Sequence, residues 1–221
     1  TFTGSVETGK IVGRTAVEQM KRFTLELGGK SPIIIRQDAN IEAAIFGASM
    51  AIFFNQGQTC TAGSRLYIHK SIFDEVVSGV AKFAENINVQ PGYDAACGMG
   101  PLVSAEQRDR VFGFIKSGIE EGAEVMTGGT QLDGNGYFIA PTVLKTKQNM
   151  KVVQEEIFGP VVCAMPFDDD DEVLRLANDT RYGLAASVWT QDLRSAHDLA
   201  ANIQAGTVWV NCHNVFDPNL P

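Results

Sequence analysis

Short apolar and β-branched runs alternate along this chain with longer segments of helical periodicity, and the alternation restricts the fold more than any other feature. The runs fall at Phe23–Leu27, Pro32–Ile35, Arg65–Ile68, Tyr137–Leu144, Val161–Phe167, Ala185–Thr190 and Thr207–Asn211, each bounded by Gly, Pro or Asn/Asp, the pattern of strands ended by turns. Between them Ile72, Phe73, Val76, Val77, Val80, Phe83, Ala84 and Ile87 recur at three-to-four spacing, as do Val111, Phe112, Ile115 and Ile119. Each set builds one apolar stripe on a helix. Ile41–Phe54 is also helix-like, and the opening Phe2-Thr3-Gly4-Ser5-Val6-Glu7-Thr8-Gly9 reads as a strand end turning into a helix near Lys10–Gln19. Strands alternating with helices predict an α/β sandwich with a largely parallel sheet.

The 221 residues suffice for one large or two small domains. Lys and Arg total 18 against 26 Asp and Glu, a net charge of −8, which argues against nucleic acid or an anionic membrane as partner. No apolar run reaches the roughly 18–20 residues of a membrane span. The N-terminus, Thr1-Phe2-Thr3-Gly4-Ser5, has neither an initiator Met nor a signal pattern. The default compartment is the cytoplasm, although a missing N-terminus could have carried an address. Cys60, Cys97, Cys163 and Cys212 form no C-x-x-C pair, and His69, His197 and His213 are scattered; neither a metal site nor a redox dithiol is expected. The charge run Asp168–Glu172 precedes the apolar pattern Val173-Leu174-Leu176-Ala177 and reads as a helix cap and solvated face.

One thiol stands apart from packing residues. Cys60 lies in Asn55-Gln56-Gly57-Gln58-Thr59-Cys60-Thr61-Ala62-Gly63-Ser64-Arg65, among small and polar neighbours just past the helix-like segment. It reads as a nucleophile, against the commoner fate of a free cysteine as a buried small hydrophobe. Upstream, Glu26-Leu27-Gly28-Gly29-Lys30-Ser31-Pro32 carries a lone carboxylate in an apolar strand. The residues alone leave Glu26 as either a base or the exposed position of an edge strand. Gly4-Ser5-Val6-Glu7-Thr8-Gly9 fits a plain strand-to-helix turn, Gln154-Glu155-Glu156-Ile157-Phe158-Gly159-Pro160 a solvated turn, and Gln107 and Arg110 a helical surface. Phe53-Phe54 and Asn211-Cys212-His213-Asn214-Val215-Phe216-Asp217 fit a core.

In order and spacing these segments together resemble the aldehyde dehydrogenase superfamily along the whole chain. The resemblance implies an aldehyde dehydrogenase-like α/β fold, with residues 1–26 the C-terminal part of a Rossmann-like dinucleotide-binding domain and 27–221 a catalytic domain. It implies Cys60 as nucleophile and Glu26 as the base that activates water. Gly4, Ser5 and Gly9 would then face the dinucleotide pyrophosphate, with Leu27 also on the cofactor side. Glu156 would meet the nicotinamide ribose, Phe158 the nicotinamide ring, and Gln107 and Arg110 the adenosine. Phe54, Thr59, Thr61 and Phe216 would line an aldehyde tunnel. The cofactor implied is NAD, with NADP not excluded, and the partners a small-molecule aldehyde and further copies in a homodimer or homotetramer. The family's upstream cofactor segment, its oxyanion Asn and its C-terminal oligomerisation strand are expected outside this stretch, so the chain reads as a fragment. Asn-Cys-His-Asn-Val-Phe-Asp is most like phenylacetaldehyde dehydrogenases. Aliphatic or retinal-type enzymes, a CoA-acylating relative and a non-enzymatic scaffold of the same fold are the alternatives.

Overall fold

The computed structural model describes residues 1–132, 134–217 and 219; the last two residues of the 27–221 segment, Leu220 and Pro221, lie outside the described residues. Strand β1 (Phe2–Thr3) leads into helix α1 (Val6–Glu18) and pairs in parallel with β2 (Leu25–Glu26). The helix begins ahead of Lys10 because Ser5 caps it: the Thr8 amide donates to Ser5 Oγ at 3.2 Å. The strand expected over Phe23–Leu27 shrinks to two residues, since β1 offers it only two partners.

The rest forms one sheet. In chain order come β3 (Pro32–Ile35), α2 (Ile41–Phe53), β4 (Arg65–His69), α3 (Phe73–Glu85), α4 (Ala105–Glu120), β5 (Glu124–Thr127), β6 (Thr142–Lys145) and α5 (Lys151–Gln154). They are followed by β7 (Val161–Phe167), α6 (Asp170–Asn178), β8 (Ala185–Trp189), α7 (Leu193–Asn202) and β9 (Thr207–Val210). The strand order is β5-β6-β7-β4-β3-β8-β9, parallel throughout except for the antiparallel edge pair β5-β6. The expected parallel α/β architecture is present.

The two-residue side-chain period of the strands divides the interior into two layers. Ile33, Ile35, Leu66, Ile68, Val162 and Ala164 face α2 and α3, packing on Ala44, Ala48, Ile52, Val76, Val77 and Val80. Ile34, Tyr67, Val161, Cys163, Met165 and Val188 face the other way, toward Val111 and Ile115 of α4, Val152 and Val153 of α5, Val173 of α6 and Leu199 of α7. Covered on both faces, β3 reads in sequence as an unbroken apolar run rather than an alternating one.

Two elements differ from the sequence expectation for local reasons. Tyr137–Leu144 is a strand only from Thr142, because Pro141 has no N–H to donate and the preceding residues turn back, with Gln131 bridged to Ile139. Strand β5 has no apolar run to mark it in the sequence, because Glu-Val-Met-Thr is a short, half-exposed edge. The acidic run caps α6 through Asp169, whose Oδ1 accepts the Glu172 amide at 2.8 Å. Its neighbours are paired as well: Asp170 takes the Arg36 guanidinium at 3.0 and 3.1 Å, and Asp168 pairs with Lys70. Among the described residues no helix is long and apolar enough to cross a membrane.

Two cations are sealed inside. Lys30 and Arg65 are 2% and 1% exposed, and neither forms a salt bridge among the described residues. Arg65 Nε donates to the Lys30 carbonyl at 2.7 Å, and its two terminal nitrogens donate to Tyr67 Oη at 3.1 Å, Leu176 O at 3.3 Å and Ala177 O at 2.8 Å. Those last two carbonyls end α6, where the helix dipole presents its negative pole. Lys30 Nζ donates to Val152 O at 2.9 Å, and burial lowers its pKa to about 8. Arg65→Ala strips these carbonyls of a buried donor, so urea unfolding should show a loss of about 3 kcal/mol or more. A loss under about 1 kcal/mol would mean that water or other side chains satisfy the site.

Candidate active site

The chemistry-bearing residues gather at the amino edge of the parallel strands. Gly28–Ser31 lead into β3, Cys60–Ser64 into β4 and Glu155–Pro160 into β7, so three loops meet where three adjacent central strands begin.

Cys60 is half-buried at the second position of a four-residue turn, Thr59 to Ala62, closed by the Ala62 amide donating to Thr59 O at 3.0 Å. The turn is entered through Asn55, Gln56 and Gly57, all at positive φ (49°, 58° and 67°). Two successive non-glycine residues in that region mark a strained approach that the surroundings must hold. Asn55 Nδ2 donates to Gln58 O at 3.0 Å, and Gln58 Oε1 accepts the Val103 amide at 3.1 Å. Among the described residues the Cys60 amide itself donates no hydrogen bond.

The double glycine allows a close junction between the loops. A Cβ on Gly29 would stand 2.3 Å from the Cys60 carbonyl oxygen, and one on Gly28 would stand 2.1 Å from Glu156 Oε2. The Gly29 amide donates to Glu156 Oε1 at 3.1 Å, while Oε2 accepts no hydrogen bond among the described residues. Burial lifts the Glu156 carboxyl above its ordinary range, and the Gly29 amide, Lys30 and Arg110 pull part of that back. Phe158 sits at φ 58°, more than a third exposed.

Gln107 and Arg110 turn toward this loop. Gln107 Nε2 donates to the carbonyls of Ile157 and Phe158 at 3.2 and 2.8 Å, and Arg110 Nη2 to that of Glu156 at 2.9 Å. The donors expected to face adenosine thus hold the backbone that carries Glu156 and Phe158. Ser5 Oγ, besides capping α1, donates to Thr8 Oγ1 at 2.9 Å, so its hydroxyl is engaged locally. Gly4, Gly9, Glu26 and Leu27 do come together: the Gly4 amide donates to Glu26 O at 3.0 Å, and Leu27 packs onto α1 at Gly9. The Glu26 side chain is exposed at the end of β2.

The four residues expected around an aldehyde divide. Phe54, 59% exposed, borders a cavity of about 570 Å³ between the ends of α2 and α3, lined also by Met50, Phe53, Phe83 and Ile87. Cys60 does not line it. Thr59 is half-buried beside the thiol. Thr61 is buried, its hydroxyl donating to Asn214 Oδ1 at 2.7 Å, and Phe216 stands exposed with its ring edge against Trp209, centroids 5.4 Å apart. Two residues without an expected role join them. His213 bonds the Thr61 carbonyl, and Lys30 lies buried directly after the double glycine; neither carries a sequence signal beyond its place in the motif.

Comparison with known proteins adds a family. The aldehyde dehydrogenase family matches residues 1–221. DhaS of Bacillus subtilis is 51% identical over 221 residues, and a phenylacetaldehyde dehydrogenase of Pseudomonas fluorescens 46% identical over 223. Both matches take in 100% of this chain and 45% and 44% of the relatives. A solved NAD+ complex of a Bacillus cereus aldehyde dehydrogenase superposes with a TM-score of 0.98 at 47% identity, over 100% of this chain and 45% of that one. The chain therefore spans a little under half the length of the proteins it matches.

The junction yields a contrast between neighbouring glycines. Gly29→Ala must displace backbone at the Cys60 turn, whereas Gly28→Ala meets only the movable end of Glu156. Chemical denaturation should show Gly29→Ala losing about 2 kcal/mol or more and Gly28→Ala about 1 or less. Equal losses would show that the Cys60 turn yields as freely as a side chain.

Proposed function

The chain belongs to the aldehyde dehydrogenase family, and on that premise we propose that the protein carrying it oxidises an aldehyde to the carboxylic acid with NAD(P). Cys60, having released its thiol proton to solvent, attacks the aldehyde carbon through the Sγ thiolate. The C–S bond forms as the carbonyl π pair moves to oxygen, which becomes the oxyanion of a hemithioacetal. The unspent Cys60 amide is a donor for that charge. Bound beside Glu156 and Phe158, NAD(P) would supply the hydride acceptor for this carbon, and loss of that hydride leaves a thioester on Cys60. Glu26 takes a proton from water, whose oxygen attacks the thioester carbonyl; the C–S bond breaks, releasing the acid and the thiol. One observation carries the reading: Cys60 occupies a turn whose amide donates to no acceptor among the described residues, pressed against Gly29, whose own amide holds Glu156.

The residues fit a dinucleotide. Glu156 keeps one carboxylate oxygen uncommitted, suited to accept from a ribose diol, and the exposed Phe158 face suits a flat ring. The N-terminus of α1, reached through Gly4 and Ser5 with Gly9 and Leu27 beside it, offers amide dipoles to a pyrophosphate. Gln107 and Arg110 act at one remove, by holding the Glu156–Phe158 turn. Residues 1–26 are then the end of the dinucleotide-binding domain and 27–221 the catalytic domain.

For substrate we favour an aromatic aldehyde such as phenylacetaldehyde. The phenylacetaldehyde dehydrogenase relative, the exposed rings of Phe54 and Phe216, and Thr59 and Thr61 around the thiol support that choice. Exposed Ile11 and Val17 on α1, with Met20 just past its end, suit a face covered in a homodimer or homotetramer.

Testing uses the protein at its full natural length. Cys60→Ala should abolish NADH formation from phenylacetaldehyde while NAD affinity stays within about threefold, because the covalent step and the cofactor site are separate. Oxidation near the parental rate would rule out the nucleophile. Adding CoA should leave the parental rate unchanged; CoA-dependent turnover would indicate an acylating enzyme, and no turnover with any aldehyde a scaffold.

Glu26→Gln keeps shape and deletes the base, so rapid mixing should show one equivalent of NADH per site followed by slow hydrolysis. A single phase at the parental rate would give Glu26 no part in deacylation.

A further inference from the structure

We infer that His213 is a positioning residue for the oxyanion donor at Cys60, acting through a relay of hydrogen-bonded peptide groups; the inference rests on the nucleophile role proposed above.

The relay starts in the sheet. Ser187, fully buried on β8, lies 3.0 Å from His213 Nδ1, and His213 Nε2 lies 2.8 Å from the Thr61 carbonyl oxygen. A carbonyl only accepts, so Nε2 carries the proton and neutral Nδ1 accepts from the Ser187 hydroxyl. Burial favours that neutral form by lowering the His213 pKa. The bonded carbonyl of Thr61 shares its peptide group with the Ala62 amide, which donates to Thr59 O at 3.0 Å. Thr59 O in turn shares its peptide group with the Cys60 amide. Ser187, His213, the Thr61–Ala62 peptide and the Thr59–Cys60 peptide therefore stand in one donor-to-acceptor line whose last N–H is the unspent one beside the thiol. Aligned bonds of this kind polarise one another and fix each peptide plane.

The ring is held from its other sides too. Trp209 packs against it with centroids 4.8 Å apart, and Trp209 Nε1 donates to Val215 O at 2.8 Å. Asn211 and Asn214 take positive φ (53° and 58°), folding the loop after β9 back over the thiol turn. The Thr61 hydroxyl, bonded to Asn214, makes a second tie between the same two loops. An aromatic ring packed there for shape alone would not need a donor at Nε2 and an acceptor at Nδ1 simultaneously.

The test compares His213→Ala, His213→Asn and His213→Gln in the full-length protein. Gln can donate to Thr61 O and accept from Ser187; Asn is too short to reach both. Removing a direct oxyanion donor costs about 10²–10³ in kcat, so misaiming it through the relay should cost His213→Ala and His213→Asn roughly tenfold in kcat. KM for NAD should stay within about twofold. His213→Gln should recover most of the lost rate. Alkylation of Cys60 by iodoacetamide, which needs neither aldehyde nor NAD, should be altered several-fold in His213→Asn and return toward the parental rate in His213→Gln. Parental kcat in a folded His213→Ala or His213→Asn protein overturns the proposal, as does equal impairment of His213→Asn and His213→Gln. If the unmodified protein forms no NADH, the functional reading has failed, and the alkylation series alone decides whether His213 holds the turn.

Discussion

A guanidinium sealed at the start of β4 is the constraint from which the site hangs. Arg65 has no carboxylate partner among the described residues. Its charge is met by the carbonyl end of α6 and by the Lys30 carbonyl, an arrangement that stabilises a buried cation with fixed dipoles. Because the Lys30 carbonyl opens β3 while Arg65 opens β4, one side chain fixes the relative position of two strand entrances. The Cys60 turn stands five residues before one entrance and Gly29 immediately before the other.

Open α/β sheets commonly bind ligands beyond the carboxyl ends of their strands. Here the polar groups beside a cavity of about 200 Å³ at that edge satisfy one another: Arg36 with Asp38, Asp170 and Thr190, and Asp38 with the Thr190 hydroxyl and the amides of Gln191 and Asp192. The amino edge is different. Its loops approach at backbone contact, through Gly29 on the Cys60 carbonyl and Gly57 on the Gly159 carbonyl. It also retains uncommitted polar groups, the Cys60 amide and one Glu156 oxygen. Loops packed that closely hold their polar groups in register, as the proposed covalent step requires.

Much of this was legible in the chain. The apolar and β-branched runs marked β3, β4, β7 and β8, whose residues are nearly all buried, and the edge strand β9; Cys60 stood out because its neighbours are small and polar. Gln107, Arg110 and Ser5 were less so. Ser5 is engaged by Thr8 within its own turn, while Gln107 and Arg110 donate to carbonyls of the loop before β7, and no spacing rule counts backbone carbonyls of a distant loop. The double glycine gains its reason only in the structure, where a Cβ on Gly29 would meet the Cys60 carbonyl and one on Gly28 the Glu156 carboxylate.

The sequence by itself determined the alternation of strand and helix, the acidic cap ahead of α6, and the chemical types brought to the site, because periodicity, capping and reactivity are properties of residues within a few positions of one another. Only the tertiary structure decided that Glu156 meets Gly29 across 127 positions and that His213 meets the Thr61 carbonyl across 152. Those contacts depend on strand order. β4, β3 and β8 became neighbours through crossovers that no local pattern records, and the side chains that aim the thiol turn came with them.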